Sequence, residues 1–231
     1  MLPIIDLTKR LIVKIGRSFF GIKPPRMVWT VAGVSDAVGP ADNVRNYLER
    51  RQLRSILKDI SAVHPIGAAC EVGCGYGRII MILKEFADRV VGFEREPSLI
   101  SIAQSLLPGI EICQCNSLDQ ISKMGKGQFD FVMTLTVLQH LTDDFCQKVI
   151  EEIKMISPNG YVLLTEKTEA IRTTENVTDG SQFISRARPV EFYKKWMAPF
   201  VLVKTLDRVL EQTYGNPKPG THMLFKSPLL D

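Results

Sequence analysis

The chain has no apolar run of the roughly 18 residues that a membrane-spanning helix needs. Its N-terminus also lacks the basic start, apolar middle and small-residue cleavage site of a secretory signal. Cysteine is sparse and poorly arranged for metal: Cys70, Cys74, Cys113, Cys115 and Cys146 contain no Cys-x-x-Cys pair, and only three histidines could complete a site. A structural zinc needs four clustered ligands, usually in two close pairs, so no metal is expected. The odd cysteine count argues against a disulfide framework. Buried, reduced thiols are expected instead, which points to the cytosol. Excess charge is scarce as well. The net charge is +4, but residues 1–26 alone carry +5 (Lys9, Arg10, Lys14, Arg17, Lys23 and Arg26 against Asp6), leaving −1 for everything else. A body that binds nucleic acid carries a basic surface of its own; no such partner is expected here.

What is present is a full globular core, with 45% hydrophobic and 23% charged residues. At 100° per residue, the segment 2–23 puts Ile4, Leu7, Leu11, Ile12, Ile15 and Phe19 on one side of a helix and Lys9, Arg10, Lys14 and Arg17 opposite. Such a helix packs on its own domain or a partner, or lies on a membrane surface. A second helical stretch, 41–61, completes an N-terminal extension (1–61). From residue 62 onwards strands and helices alternate. Strands are expected at 68–72, 89–93, 110–114, 129–135, 161–165, 200–206 and 221–226. Helices are expected at 78–86, from Pro97 to Leu107, from a Thr142 cap to Ile156, and after Pro189. The polar, threonine-rich segment 166–188 is too long for a simple connection and reads as a lid. This alternation gives a doubly wound, mostly parallel α/β sheet, whose ligands bind at the carboxyl ends of the strands.

The informative segment is ACEVGCGYGRII, with Glu71, Gly73, Cys74, Gly75 and Gly77 where the first strand ends. Glycines there let the backbone turn tightly and approach a ligand. A dinucleotide fingerprint wants its third glycine at position 78, where Arg78 stands. Glu71 would repel a pyrophosphate and favour a ligand carrying ammonium and sulfonium groups. Glu94, followed by Arg95, ends the second strand 21 residues beyond Gly73; a carboxylate there can accept from both ribose hydroxyls. Asn116, Ser117 and Leu118 at the third strand end offer polar donors and an apolar edge for an adenine.

These segments resemble the class I S-adenosylmethionine-dependent methyltransferases. EVGCGYG is similar to their first motif, GFE to the second, CNSL to the adenine turn and FDFVMTLTVLQHL to the fourth-strand motif, in order over residues 66–166. The resemblance implies S-adenosyl-L-methionine as cofactor and a Rossmann-like seven-stranded sheet with helices on both faces and an antiparallel last strand. Asn116 departs from the aspartate common in relatives.

Methyl transfer from a sulfonium is an in-line displacement that needs alignment and exclusion of water. A base is needed only where the acceptor must lose a proton. His140 is the first candidate and Glu166 the second; Leu135 and Thr136 are expected at the cofactor's methionine end. Tyr47 and Arg51 could close over its carboxylate, and Arg186 and Arg188 read as solvated arginines at an acceptor wall. The Asn/Asp-Pro-Pro-Tyr/Phe signature of amino methyltransferases is absent after strand four, where Leu135-Thr136-Val137-Leu138 stands. The expected activity is therefore O-methylation of a small metabolite or of a saccharide or lipid-linked glycan. The alternatives are a nicotinamide-dependent oxidoreductase on a similar sheet and a cofactor-binding protein without turnover.

Overall fold

A computed structural model describes residues 40–124, 127–168, 174–178, 181–208 and 220–230; the amphipathic segment 2–23 lies outside them. Helix α1 (Pro40–Ser61) leads into β1 (Ile66–Val72), α2 (Ile80–Leu83), β2 (Ala87–Glu94), α3 (Pro97–Leu106), β3 (Glu111–Gln114), β4 (Phe131–Leu135), α4 (Asp143–Ile156) and β5 (Tyr161–Glu166). A hairpin of β6 (Thr174–Thr178) and β7 (Ser181–Ser185) follows, then α5 (Val190–Met197), β8 (Val201–Asp207) and β9 (Thr221–Lys226).

Seven strands form one sheet in the order β3-β2-β1-β4-β5-β9-β8. Strands β1 to β5 pair in parallel, while β9 runs antiparallel to both β5 and β8. Winding reverses between β1 and β4, so the carboxyl ends of these two strands flank the crevice that such sheets offer to ligands.

Alternation along each strand divides the core. Cys70 and Val72, Val132, Val162 and Leu164, and Met223 and Phe225 pack toward α4 and α5, against Cys146, Val149, Ile150, Ile153, Tyr193 and Met197. Ala69, Phe131 and Met133, Tyr161 and Leu163, and Leu224 face the other way, onto Leu53, Ile56, Leu57 and Ile60 of α1 and onto α2 and α3. Each Val, Leu, Ile, Phe or Met among them, taken fully out of water, contributes roughly 1.5–3 kcal/mol. All five cysteines are buried and reduced. Among the described residues no helix is long and apolar enough to cross a membrane.

Three local expectations need correction. The helix read at 78–86 is regular only over Ile80–Leu83, because Glu85 and Phe86 close tighter three-residue turns onto Ile82 and Leu83. Thr142 does precede α4, but its side chain makes no capping hydrogen bond. The segment read as a loop at 166–188 contains the antiparallel β6–β7 hairpin, whose threonine- and valine-containing first strand suits extended pairing.

A polar chain, half-buried at Gln52 and buried at His222 and Thr165, joins α1 to the sheet. Gln52 Nε2 donates to the Asp207 carbonyl at 2.7 Å, so its Oε1 faces His222 Nε2, 3.1 Å away. His222 must therefore carry its proton on Nε2, leaving Nδ1 to accept from Thr165 Oγ1 at 2.8 Å. Burial, helped by the charge of Arg208, lowers the His222 pKa to about 4. The unfolded chain binds this proton near the ordinary histidine value and the folded chain only near 4. Stability is thus lost as pH falls through that window. In urea titrations the advantage of the natural chain over His222→Gln should shrink by about 3 kcal/mol between pH 7 and pH 4. A constant difference would show that His222 keeps its ordinary affinity for protons.

Candidate cofactor and acceptor site

The carboxyl edge of the sheet gathers four turns and binds them to one another. In the glycine-rich turn, Gly73 and Gly77 have left-handed backbone, with φ of 75° and 85°. A Cβ at Gly73 would lie 2.5 Å from Val137, and one at Gly77 2.3 Å from Leu107. Only glycine lets this turn approach both the turn after β4 and the end of α3. The amides of Gly73 and Cys74 donate to the Phe93 carbonyl at 2.8 and 3.0 Å, and the amide of Cys115 donates to the Glu94 carbonyl at 2.7 Å. The ends of β1, β2 and β3 thereby become one surface. At Gly75 a Cβ would meet nothing within 4 Å, so this turn faces open space.

Glu94 holds that surface together. Its Oε2 accepts from Gly75 N at 2.7 Å, and its Oε1 from Arg95 N and Glu96 N at 2.7 and 2.9 Å. A carboxylate has about four acceptor positions, so one on Oε2 is left for a ligand hydroxyl. The Arg95 side chain is exposed and joins this set through its amide. Beyond β3, Asn116 is exposed, Ser117 is half-buried with its hydroxyl on Asp119, and Leu118 is buried. Cys74 contributes its amide alone, since its thiol is buried in the α1-side core.

Glu71 behaves differently. It is 2% exposed, and its Oε2 is buried with no hydrogen-bond partner. Burial raises its carboxyl to about 8; Arg78 opposes the rise, and Glu94 and Glu49 add to it. An isolated buried carboxyl costs a few kcal/mol relative to a paired one. It is the feature of this edge that a bound cation would complete.

On the other side of the crevice, the turn after β4 is clamped. Glu166 is fully buried. Its Oε1 accepts from Thr134 Oγ1 at 2.8 Å and from Val137 N at 3.2 Å, and its Oε2 accepts from Gln139 N at 3.0 Å. Burial pushes this carboxyl up, while the bonds from Gln139 and Thr134 oppose the rise. Arg188 takes the carbonyls: it donates to Leu138 O and Leu141 O at 2.8 and 2.5 Å and to Asp143 at 2.8 Å. Between these anchors Thr136 is held at φ 56°, a left-handed conformation rare for a β-branched residue. Leu135 and Thr136 are half-buried at the crevice. The amide of Arg186, next to β7, donates to Gln139 O at 2.8 Å and ties the hairpin to this turn.

His140 sits half-buried in the same turn. Gln139 Oε1 accepts from Lys167 N at 3.1 Å, so its Nε2 is the group 3.2 Å from His140 Nε2. The lone pair of His140 Nε2 therefore receives a hydrogen bond from Gln139, and the neutral ring carries its proton on Nδ1.

Two expectations about arginine and the first helix change. Arg188 is 3% exposed and part of the clamp, not a solvated arginine. Tyr47 and Arg51 lie exposed on α1, whose inward positions are Glu49 and Leu53. Glu49 escaped the sequence reading although it falls on the same stripe as Leu53, Ile56 and Ile60, at offsets of four, seven and eleven. Among the described residues no group of three His, Cys, Asp or Glu side chains could hold a metal ion.

The clamp predicts a stability effect. In Glu166→Gln one amide hydrogen must face a backbone N–H, so urea unfolding should show a loss of about 1–3 kcal/mol. An unchanged midpoint would mean that these bonds contribute nothing.

Residues 70–164 match the family described as a methyltransferase domain. A ubiquinone biosynthesis O-methyltransferase of Azorhizobium caulinodans is 24% identical over 124 residues, which are 52% of this chain and 47% of that protein. The chain thus spans about half the length of this relative. Two solved structures share the fold at 15% identity. An S-adenosylmethionine-bound amino pentose methyltransferase of Micromonospora echinaspora has a TM-score of 0.59, over 77% of this chain and 91% of its own. A magnesium protoporphyrin IX methyltransferase of Synechocystis PCC 6803 has 0.60, over 82% and 85%. The motif-bearing turns assembled at one sheet edge fall within the stretch that the family model matches, so residues 70–164 carry a methyltransferase domain.

Proposed function

We propose that this protein transfers the methyl group of S-adenosylmethionine to a hydroxyl of a small molecule, a saccharide or a lipid-linked glycan. The buried, unpartnered carboxylate oxygen of Glu71, on the strand that runs into the open turn at Gly75, carries the cofactor reading. A pyrophosphate would meet repulsion there, which weighs against a nicotinamide cofactor; an ammonium group would complete the site. In this reading Glu71 takes the ammonium, and the remaining acceptor position of Glu94 takes a ribose hydroxyl. Asn116, Ser117 and Leu118 border the adenine, and Leu135 and Thr136 the methionine end. The cofactor supplies an activated methyl on a sulfonium.

The chain's own work is to align the acceptor and exclude water. His140 Nε2 is the base that accepts the hydroxyl proton, once the acceptor displaces the bond from Gln139. Glu166, with both oxygens engaged, serves this reading by holding the turn that carries His140. The O-methyltransferase relative supports an oxygen acceptor. A structurally similar 1,6-didemethyltoxoflavin-N1-methyltransferase of Burkholderia thailandensis makes nitrogen the competing outcome. The basic face of segment 2–23 supports contact with an anionic membrane surface, where a lipid-linked acceptor would be found.

Three measurements follow. Because a cation favours ionised Glu71, calorimetric affinity for S-adenosylhomocysteine should rise by up to about tenfold per unit as pH climbs toward about 8. It should then level off, and Glu71→Gln should abolish the dependence; a flat profile in the natural chain would remove the Glu71 assignment. Labelled methyl transfer into fractionated extract should give a methyl ether formed on a hydroxyl-bearing acceptor, and His140→Ala should lower kcat by about 100-fold or more. Full turnover in that variant rules out the base. Replacing Lys9, Arg10, Lys14 and Arg17 by glutamine should reduce co-sedimentation with anionic liposomes; equal partitioning rules out the membrane contact.

A further inference from the structure

Side chains of alternating sign run from the end of β8 to the glycine-rich turn. Glu49 of α1 is 2% exposed and accepts from two arginines: Arg208 Nη2 on Oε1, and Arg78 Nη1 on Oε2 at 2.8 Å. Arg50 Nη2 donates to the Arg78 carbonyl at 3.0 Å, so α1 grips this residue by backbone and side chain together. Arg78 stands seven positions beyond Glu71, across the glycine-rich turn, and its charge favours the ionised form of that carboxyl. Even so, Glu71 Oε2 accepts no hydrogen bond from it. One guanidinium thus stands near two buried carboxylates and is bonded to Glu49. Released from Glu49, it would be drawn to Glu71, since attraction is strongest where water is excluded.

We propose that Glu49 is a positioning residue that holds the Arg78 guanidinium off Glu71, keeping the Glu71 carboxylate for the ammonium group of the cofactor. This rests on the cofactor reading of Glu71 given above. Glu49 suits the task because Arg208 fixes its other oxygen, so the carboxylate cannot swing away with Arg78. Its charge is constant near neutrality. Burial would raise its pKa, but Arg208 and Arg78 together outweigh burial and hold it at about 2. Without this restraint Arg78 would act as an internal competitor, occupying the position of the ligand's positive group and repelling it.

Calorimetry at pH 8.5 with two probes tests the proposal. S-adenosylhomocysteine has the ammonium, whereas 5′-methylthioadenosine keeps the adenosine and sulfur but lacks the amino acid. Glu49→Gln should weaken the first by about tenfold, the size of one charge-assisted hydrogen bond, and leave the second within about twofold. Adding Arg78→Met to Glu49→Gln should restore S-adenosylhomocysteine to within about threefold of the natural chain. The proposal is overturned if the double variant stays as weak as Glu49→Gln, if Glu49→Gln leaves affinity intact, or if both probes weaken together. Glu71→Gln separates the two levels. Unchanged S-adenosylhomocysteine affinity there removes the reading of Glu71 and the proposal with it; weakened affinity there with an intact Glu49→Gln removes the Glu49 role alone. Should Glu49→Gln fail to fold, Arg78→Met alone decides. Equal or tighter binding supports the restraint, and a loss of about tenfold overturns it by making Arg78 itself a ligand-holding group.

Discussion

A carboxyl group withdrawn from water at the end of β1, with one oxygen given no hydrogen-bond partner, is the constraint around which this edge is organised. The other buried or half-buried acids of this edge are engaged with protein groups. Glu94 binds the amides of the first and second turns, Glu166 those of the turn after β4, and Glu49 two arginines. At Glu71 desolvation outweighs the opposing charge of Arg78, so its preferred state at neutral pH is the protonated one. Such a group persists because the sheet and three neighbouring turns fix its surroundings.

The division of labour across the sheet follows from the same chemistry. Its interior is sorted by strand alternation into two apolar layers, and these set the position of every strand end to within the register of the ladder. Polar side chains then join the turns where the ladder stops. This arrangement lets the apolar core determine where the edge lies, while charge and hydrogen bonding determine its shape.

The repeating units of the fold were legible because buried parallel strands and amphipathic helices leave periodic patterns. YVLLT, THMLFK and the stripe of Val149, Ile153 and Ile156 were read close to their observed places. The turns at the carboxyl edge were legible as turns because glycines and acids at strand ends have a local reason for being there. What escaped depends on contacts distant in sequence. Arg188 looks like a surface arginine until α4 brings Asp143 and the 138–141 carbonyls around it, 45 to 50 positions away. Glu49 reads as one acid among arginines until β8 delivers Arg208, 159 positions away. The left-handed backbone at Thr136 gave no signal, since threonine is an unusual choice for that conformation.

The clamped turn after β4 has one more implication. A loop whose carbonyls and amides are already committed to buried partners, and whose backbone is bent against its own preference, has little freedom to mould itself around a visitor. Molecules that settle against Thr136 and His140 must match a fixed floor. Diversity in what is accepted would then have to come from the walls that rise around that floor, above all from the β-ribbon tethered to it through Arg186.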